Sequence, residues 1–131
     1  QHPAMMVASD GIYHGTFSHP RTSGCFARAI RYGVRDLGAV TLEEAVYKMS
    51  GFPATRFQVP ERGFLREGYA ADLVLFDEET IADGATWENP LESPSGIELV
   101  MVGGVPVVKQ NVPTGELPGK VLRRQDASLP A

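Results

Sequence analysis

Residues 5–21, MMVASDGIYHGTFSHPR, decide the predicted fold. The stretch opens with four apolar residues, which are typical of a buried strand. The apolar run stops at Ser9-Asp10-Gly11, and a loop rich in glycine, histidine and proline follows. Parallel strands of α/β folds are continuously apolar, and functional side chains follow their C-terminal ends. Residues 4–8 therefore predict a buried α/β strand, and Asp10 stands at the end of it where such folds carry their functional residues.

The carboxylate of Asp10 has several possible roles at the end of such a strand. It can bind a metal, act as a general base or cap the next turn. Asp-Gly is also a common turn dipeptide, so the residues alone leave a structural turn and a functional carboxylate equally open. His14 and His19 are not expected to be metal ligands, because their spacing matches neither a helical i, i+4 pair nor an H-x-H strand pair.

The pattern beyond residue 21 is first helical. An apolar stripe predicts a helix from about residue 22 to Gly38, with Arg28, Arg31 and Arg35 on a face expected to be solvated. Thr41 and Glu44 form a capping-box pattern that predicts a helix over residues 42–49. A short helix is predicted over residues 52–57.

The period then changes to that of strands. Strands are predicted over residues 71–76, 97–102 and 105–108, and Gly103-Gly104 is typical of a two-residue hairpin turn. Pro106 favours an edge position for the last of these strands. We therefore predict a strand-and-helix unit over residues 1–60 and a small β-unit over residues 61–131, which ends in a polar tail from Arg123.

Composition narrows the class of protein. The 131 residues carry a net charge of −4, which argues against a nucleic-acid partner, and no run of 18 apolar residues predicts a membrane span. The single cysteine, Cys25, favours a cytoplasmic protein.

The chain begins at Gln1 and enters an apolar strand directly. Because such a strand needs neighbours on both sides, we expect the C-terminal part of a longer protein.

Several motifs together resemble those of one enzyme family. Ser9-Asp10-Gly11 is followed by His19-Pro20-Arg21, with the arginine eleven residues past the aspartate. The chain thereby resembles the C-terminal portion of the N-acyl-D-amino-acid deacylases, or D-aminoacylases, of the metal-dependent amidohydrolase superfamily. Further matching motifs follow in order along the chain: residues 35–38, 42–46, 48–51, 53–57, 62–63, 68–74, 114–115 and 118–123.

The resemblance implies a fold and a chemistry. Residues 1–60 would hold the last strand and helices of a (β/α)8 barrel, and residues 61–131 would form part of a small β-sandwich. Asp10 would be the catalytic proton shuttle and a possible metal ligand in a zinc-dependent hydrolase of linear amide bonds. Arg21 would bind the α-carboxylate of a small N-acyl-D-amino acid, because a guanidinium fork matches a carboxylate.

The remaining zinc ligands of that family are absent from the sequence. We expect them upstream, in a missing N-terminal part of the same protein, and we expect this chain alone to be inactive. Two alternatives stay open. One is a cyclic-amide hydrolase of the same superfamily, similar to dihydropyrimidinase or dihydroorotase; the other is an inactive, non-enzymatic remnant.

Overall fold

The computed structural model describes residues 2–12 and 18–122, which form four helical segments followed by an antiparallel sheet. Helix α1 spans Arg21–Arg28 and continues directly into a π-helical segment, Ala29–Asp36. Helices α2 and α3 span Leu42–Met49 and Gly51–Arg56. The predicted helices are confirmed.

Local signals set the ends of these helices. Gly38 has φ +55°, a left-handed conformation that ends the π-helical segment where the sequence predicts it. At α2, the Glu44 backbone N–H donates to the Thr41 hydroxyl at 3.2 Å, and the Thr41 N–H donates to the Glu44 carboxylate at 3.3 Å. This reciprocal pair is the predicted capping box.

The four strands lie in sequence order in one antiparallel sheet: β1 Leu73–Phe76, β2 Ile97–Val102, β3 Val105–Lys109 and β4 Val112–Pro113. Gly103 and Gly104 form the predicted hairpin turn, with φ +56° and +83°. The edge position predicted from Pro106 is wrong for its strand, since β4 follows β3 in the sheet. The proline is nevertheless compatible with β3, because the β3–β4 pairing involves only Val108 and Lys109.

The strand predicted over residues 4–8 is contradicted by the structure, which has no regular secondary structure over residues 5–10. A strand is held by backbone hydrogen bonds to another strand, whereas this segment is bound to α2. The Val7 N–H donates to the Lys48 carbonyl at 3.2 Å, and the Lys48 ammonium donates to the carbonyls of His2 and Met5 at 3.0 and 3.4 Å. Met5 remains 44% exposed, so the segment is not buried either.

One small apolar core connects the helices to the sheet. Its buried members are Ala27, Ile30 and Ile81, and partly buried side chains pack around them: Val34, Leu42, Met49, Phe76 and Ile97. The core thus draws residues from both sides of the boundary predicted near residue 60, which itself stays a prediction. Within the described residues, no helix is long and apolar enough to cross a membrane.

Candidate active site

Asp10 and Arg21, the two site residues predicted from the sequence, lie in direct contact. The Arg21 Nη2 atom is 2.9 Å from the Asp10 Oδ2 atom. The Arg21 Nε–H also donates to the Asp10 carbonyl oxygen at 2.9 Å. The side chain of Arg21 is 42% exposed and that of Asp10 is 72% exposed, so water and small solutes can reach both charged groups.

The backbone around Asp10 turns sharply, as Asp-Gly turns do. Asp10 has φ +47°, a left-handed conformation that aspartate tolerates better than most residues. The Gly11 N–H donates to the Ser9 hydroxyl at 3.2 Å. A side chain at Gly11 would lie 3.2 Å from the Thr22 Cα atom, so the turn lies close against the first turn of α1. The turn that the sequence offered as one alternative is therefore present at Asp10, and a functional role of its carboxylate stays a prediction.

Arg21 is positioned by the residues that open α1. Its backbone N–H donates to His19 Nδ1 at 3.0 Å, and the Thr22 N–H donates to the His19 carbonyl at 2.9 Å. Pro20 precedes the helix with helical φ and ψ. The His19-Pro20-Arg21 motif thus acts locally as a helix start that directs the guanidinium toward Asp10.

Cys25 lies one helical turn after Arg21 in α1. Its Sγ atom lies 3.5 Å from the Ala8 carbonyl, which ties α1 to the segment before Asp10. Burial raises the pKa of the Cys25 thiol, while the positive charge of Arg21 opposes that shift. The thiol is therefore protonated at neutral pH and acts as a packing group.

The basic face of the first helix is not simply solvated, which corrects the sequence interpretation. Arg28 Nη1 lies 3.1 Å from Asp83 Oδ2, and Arg31 Nε lies 3.0 Å from Asp83 Oδ1. The second contact is a close charge pair without hydrogen-bond alignment. Arg35 donates to the carbonyls of Glu78 and Ile81 at 2.7 and 3.0 Å. The three arginines hold the segment after β1 against the helix.

An aromatic contact brings the loop before β2 to the same site. The rings of His19 and Trp87 meet edge to face, with centroids 4.6 Å apart. Neither this contact nor the Asp83 ion pairs could be predicted from the sequence, because no local pattern links residues so distant in the chain. The burial of Lys48 was not predicted either, because its position in an amphipathic helix gave no indication of it.

The donor set near Asp10 does not amount to a metal site. Among the residues that the structure describes, no three His, Cys, Asp or Glu side chains are grouped so as to hold a metal ion. Asp10 supplies one carboxylate, whereas a zinc site needs three or four protein ligands. His14 lies outside the described residues, as does the polar tail from Arg123. What these residues offer chemically is an accessible carboxylate beside a guanidinium fork.

Comparison with known proteins gives consistent matches. Residues 2–108 match the model of the amidohydrolase family. The D-aminoacylase of Alcaligenes xylosoxydans xylosoxydans is 48% identical over 93% of this chain and 25% of its own length. A D-aminoacylase crystal structure superposes with a TM-score of 0.87 at 46% identity, over 91% of this chain and 25% of that one.

A second solved structure is the N-acyl-D-glutamate deacylase of Bordetella bronchiseptica, complexed with zinc and a phosphonate that mimics the tetrahedral intermediate. It superposes with a TM-score of 0.85 at 46% identity, over 93% of this chain and 26% of that one. The chain therefore spans about a quarter of the length of the relatives it matches. The resemblance drawn from the sequence motifs is confirmed.

Proposed function

Because this chain belongs to the amidohydrolase family, we propose that it is the C-terminal portion of a zinc-dependent hydrolase that cleaves N-acyl-D-amino acids to a carboxylate and a D-amino acid. The proposal is supported by relatives that are a D-aminoacylase and an N-acyl-D-glutamate deacylase. The observation that carries it is the contact between Asp10 and Arg21, the two residues that the family motifs single out.

In this proposal Asp10 moves the proton of the reaction. Its carboxylate accepts a proton from the water that attacks the amide carbonyl, and it then gives that proton to the departing amine. Such a group must be reachable by solvent and substrate, and the exposed Asp10 side chain meets this condition.

Arg21 binds the α-carboxylate of the substrate. The guanidinium already contacts one carboxylate, that of Asp10, and it remains partly exposed. A substrate carboxylate that binds the same fork would place the adjacent amide bond near Asp10. The pair therefore links recognition of the acidic end of the substrate to the proton transfer at its amide.

The residues at positions 2–12 and 18–122 do not by themselves fit a zinc site. We propose that the other ligands belong to the part of the enzyme that this chain does not include, with Asp10 as a possible contributor. When bound, zinc would acidify the attacking water.

In the proposed architecture the two parts of the chain have different roles. Residues 1–60 would close the catalytic barrel and supply Asp10 and Arg21, while residues 61–131 would belong to a structural β-sandwich. A cytoplasmic location is proposed from the cysteine usage alone.

The test is the substrate profile of the whole protein. We expect hydrolysis of N-acetyl-D-amino acids, weaker turnover of the L-enantiomers, and no turnover of dihydrouracil or dihydroorotate. Preferred cleavage of the cyclic amides would instead indicate the cyclic-amide alternative. A zinc-loaded, folded protein that cleaves none of these substrates would contradict the proposal and favour the non-enzymatic alternative.

A further inference from the structure

The loop that precedes β2 is fixed to helix α1 at its beginning. The Asp83 side chain is only 9% exposed and lies between Arg28 and Arg31 of the helical segment. At Gly24 the packing is so close that an added Cβ would lie 2.9 Å from the Asp83 Cβ atom. Ala82 and Ser95 form an isolated antiparallel bridge that closes the loop. The position of the loop relative to α1 is therefore set by several independent contacts.

Hydrogen bonds within the loop give its tip a defined shape. The Thr86 N–H donates to the Asn89 carbonyl at 3.1 Å, and the Asn89 N–H donates to the Thr86 hydroxyl at 3.0 Å. The Asn89 side-chain amide donates to the Glu92 carboxylate at 3.0 Å. This turn holds Trp87 at the tip of the loop.

Trp87 is the large apolar side chain of that turn, and it lies next to the candidate active site. It is 72% exposed, although its ring contacts the His19 ring. His19 in turn accepts the N–H of Arg21, the residue proposed to bind the substrate carboxylate. Trp87 thus contacts Arg21 indirectly, through His19. Its exposed indole lies on an anchored loop and presents an apolar surface to a molecule that binds Arg21.

We infer that Trp87 is a specificity-determining residue that contacts the side chain of the N-acyl-D-amino acid; this inference rests on the proposed function. The α-carbon of the substrate carries both the carboxylate and the side chain. When the substrate carboxylate binds Arg21, the substrate side chain therefore also lies close to Arg21. The acyl group lies beyond the amide bond, on the side of Asp10. Trp87 accordingly selects apolar D-side chains.

The experiment uses the whole protein and its Trp87→Ala and Trp87→Phe variants, with N-acetyl-D-alanine, N-acetyl-D-leucine and N-acetyl-D-phenylalanine as substrates. We expect Trp87→Ala to lower kcat/KM for the leucine and phenylalanine substrates about tenfold or more relative to the alanine substrate. Trp87→Phe keeps an aromatic surface and should give an intermediate ratio. Leu91→Ala, which removes another exposed apolar side chain of the same loop, is the matched control and should leave the ratio unchanged.

The outcomes separate this inference from the proposed function. If the wild-type protein cleaves N-acyl-D-amino acids but Trp87→Ala loses activity equally on all three substrates, Trp87 only supports His19 and the inference is wrong. An unchanged ratio with full activity also overturns it. If the wild-type protein cleaves N-acetyl-D-glutamate or N-acetyl-D-aspartate but none of these three substrates, the proposed function holds and the inference is wrong. If it cleaves no N-acyl-D-amino acid, the proposed function fails, and the inference fails with it.

Discussion

Replacing Arg21 with alanine in the whole protein separates a proposed role of its guanidinium from an observed contact. The side chain is proposed to bind the substrate carboxylate, and it already contacts Asp10 through both its Nε and Nη2 atoms. Arg21→Ala therefore removes a binding group and also releases the carboxylate proposed to move the proton.

The size of each effect follows from exposure. Removing one partner of a buried charge pair costs about 2–5 kcal/mol, and the 42% exposure of Arg21 places the substrate contact at the lower end. A loss of about 2–3 kcal/mol is a fall in kcat/KM of about 30- to 150-fold. The contact with Asp10 is an exposed ion pair, worth about 1 kcal/mol or less, or at most about fivefold.

The assay compares each N-acetyl-D-amino acid with its neutral C-terminal amide, which lacks the carboxylate. We expect Arg21→Ala to show the large loss only on the acid, and at most the fivefold loss on the amide. Arg21→Lys keeps the charge but not the fork, so its loss on the acid should be smaller. Equal losses on acid and amide would refute carboxylate binding and leave Arg21 with a purely structural role.

Three further predictions concern the contacts that support the site. Asp83→Asn should lower the free energy of unfolding by about 1–2 kcal/mol, because Arg28 and Arg31 lose the buried carboxylate with which they pair. A double-mutant cycle with Arg31→Met should show coupling between the two positions, and additive effects would contradict the ion pair. Gly63→Ala should cost at least about 2 kcal/mol of stability, because φ is +83° and the new Cβ would lie 2.5 Å from a neighbouring methyl carbon. Gly38→Ala, at φ +55° with nothing within 4 Å, is its milder control, and equal costs would refute the clash. Hydrogen bonds from the backbone N–H two residues on and from a threonine hydroxyl lower the pKa of the Asp77 carboxyl. The stabilisation is therefore present above the ordinary aspartate pKa of about 3.9 and is lost as the pH falls through the lowered value. Urea titrations should show that Asp77→Asn destabilises at pH 7 and that the difference shrinks as the pH is lowered below about 3.9; a difference that does not change with pH would contradict this.

The features that the sequence predicted correctly are those fixed by neighbouring residues. The capping box at Thr41 and Glu44 needs only a spacing of three residues, and the Gly103-Gly104 turn needs only two residues that accept positive φ. Asp10 and Arg21 were singled out because both lie in short motifs that resemble those of one family, and their roles stay predictions. Their direct contact follows from the turn at Gly11, which folds one motif back on the other.

The features that it missed depend on partners far along the chain. Residues 4–8 have the composition of a buried strand, but a strand forms only beside another strand, and here the segment contacts α2 instead. A row of arginines on a helix looks solvated unless the carboxylate of Asp83 is known to face it. Trp87 gave no signal of its own, because its significance depends on the position of His19.

The central claim is that Asp10 carries the proton in amide hydrolysis, and the most direct test is Asp10→Asn in the zinc-loaded whole protein. The amide side chain keeps the size of the carboxylate but cannot accept the proton, so kcat should fall by at least about 100-fold, the lower end for a general acid–base group. Asp36→Asn, at the exposed aspartate that ends the π-helical segment, should leave kcat unchanged. Zinc content and the thermal melt are measured on the same samples. A folded Asp10→Asn protein that retains zinc and near-normal kcat would contradict the claim.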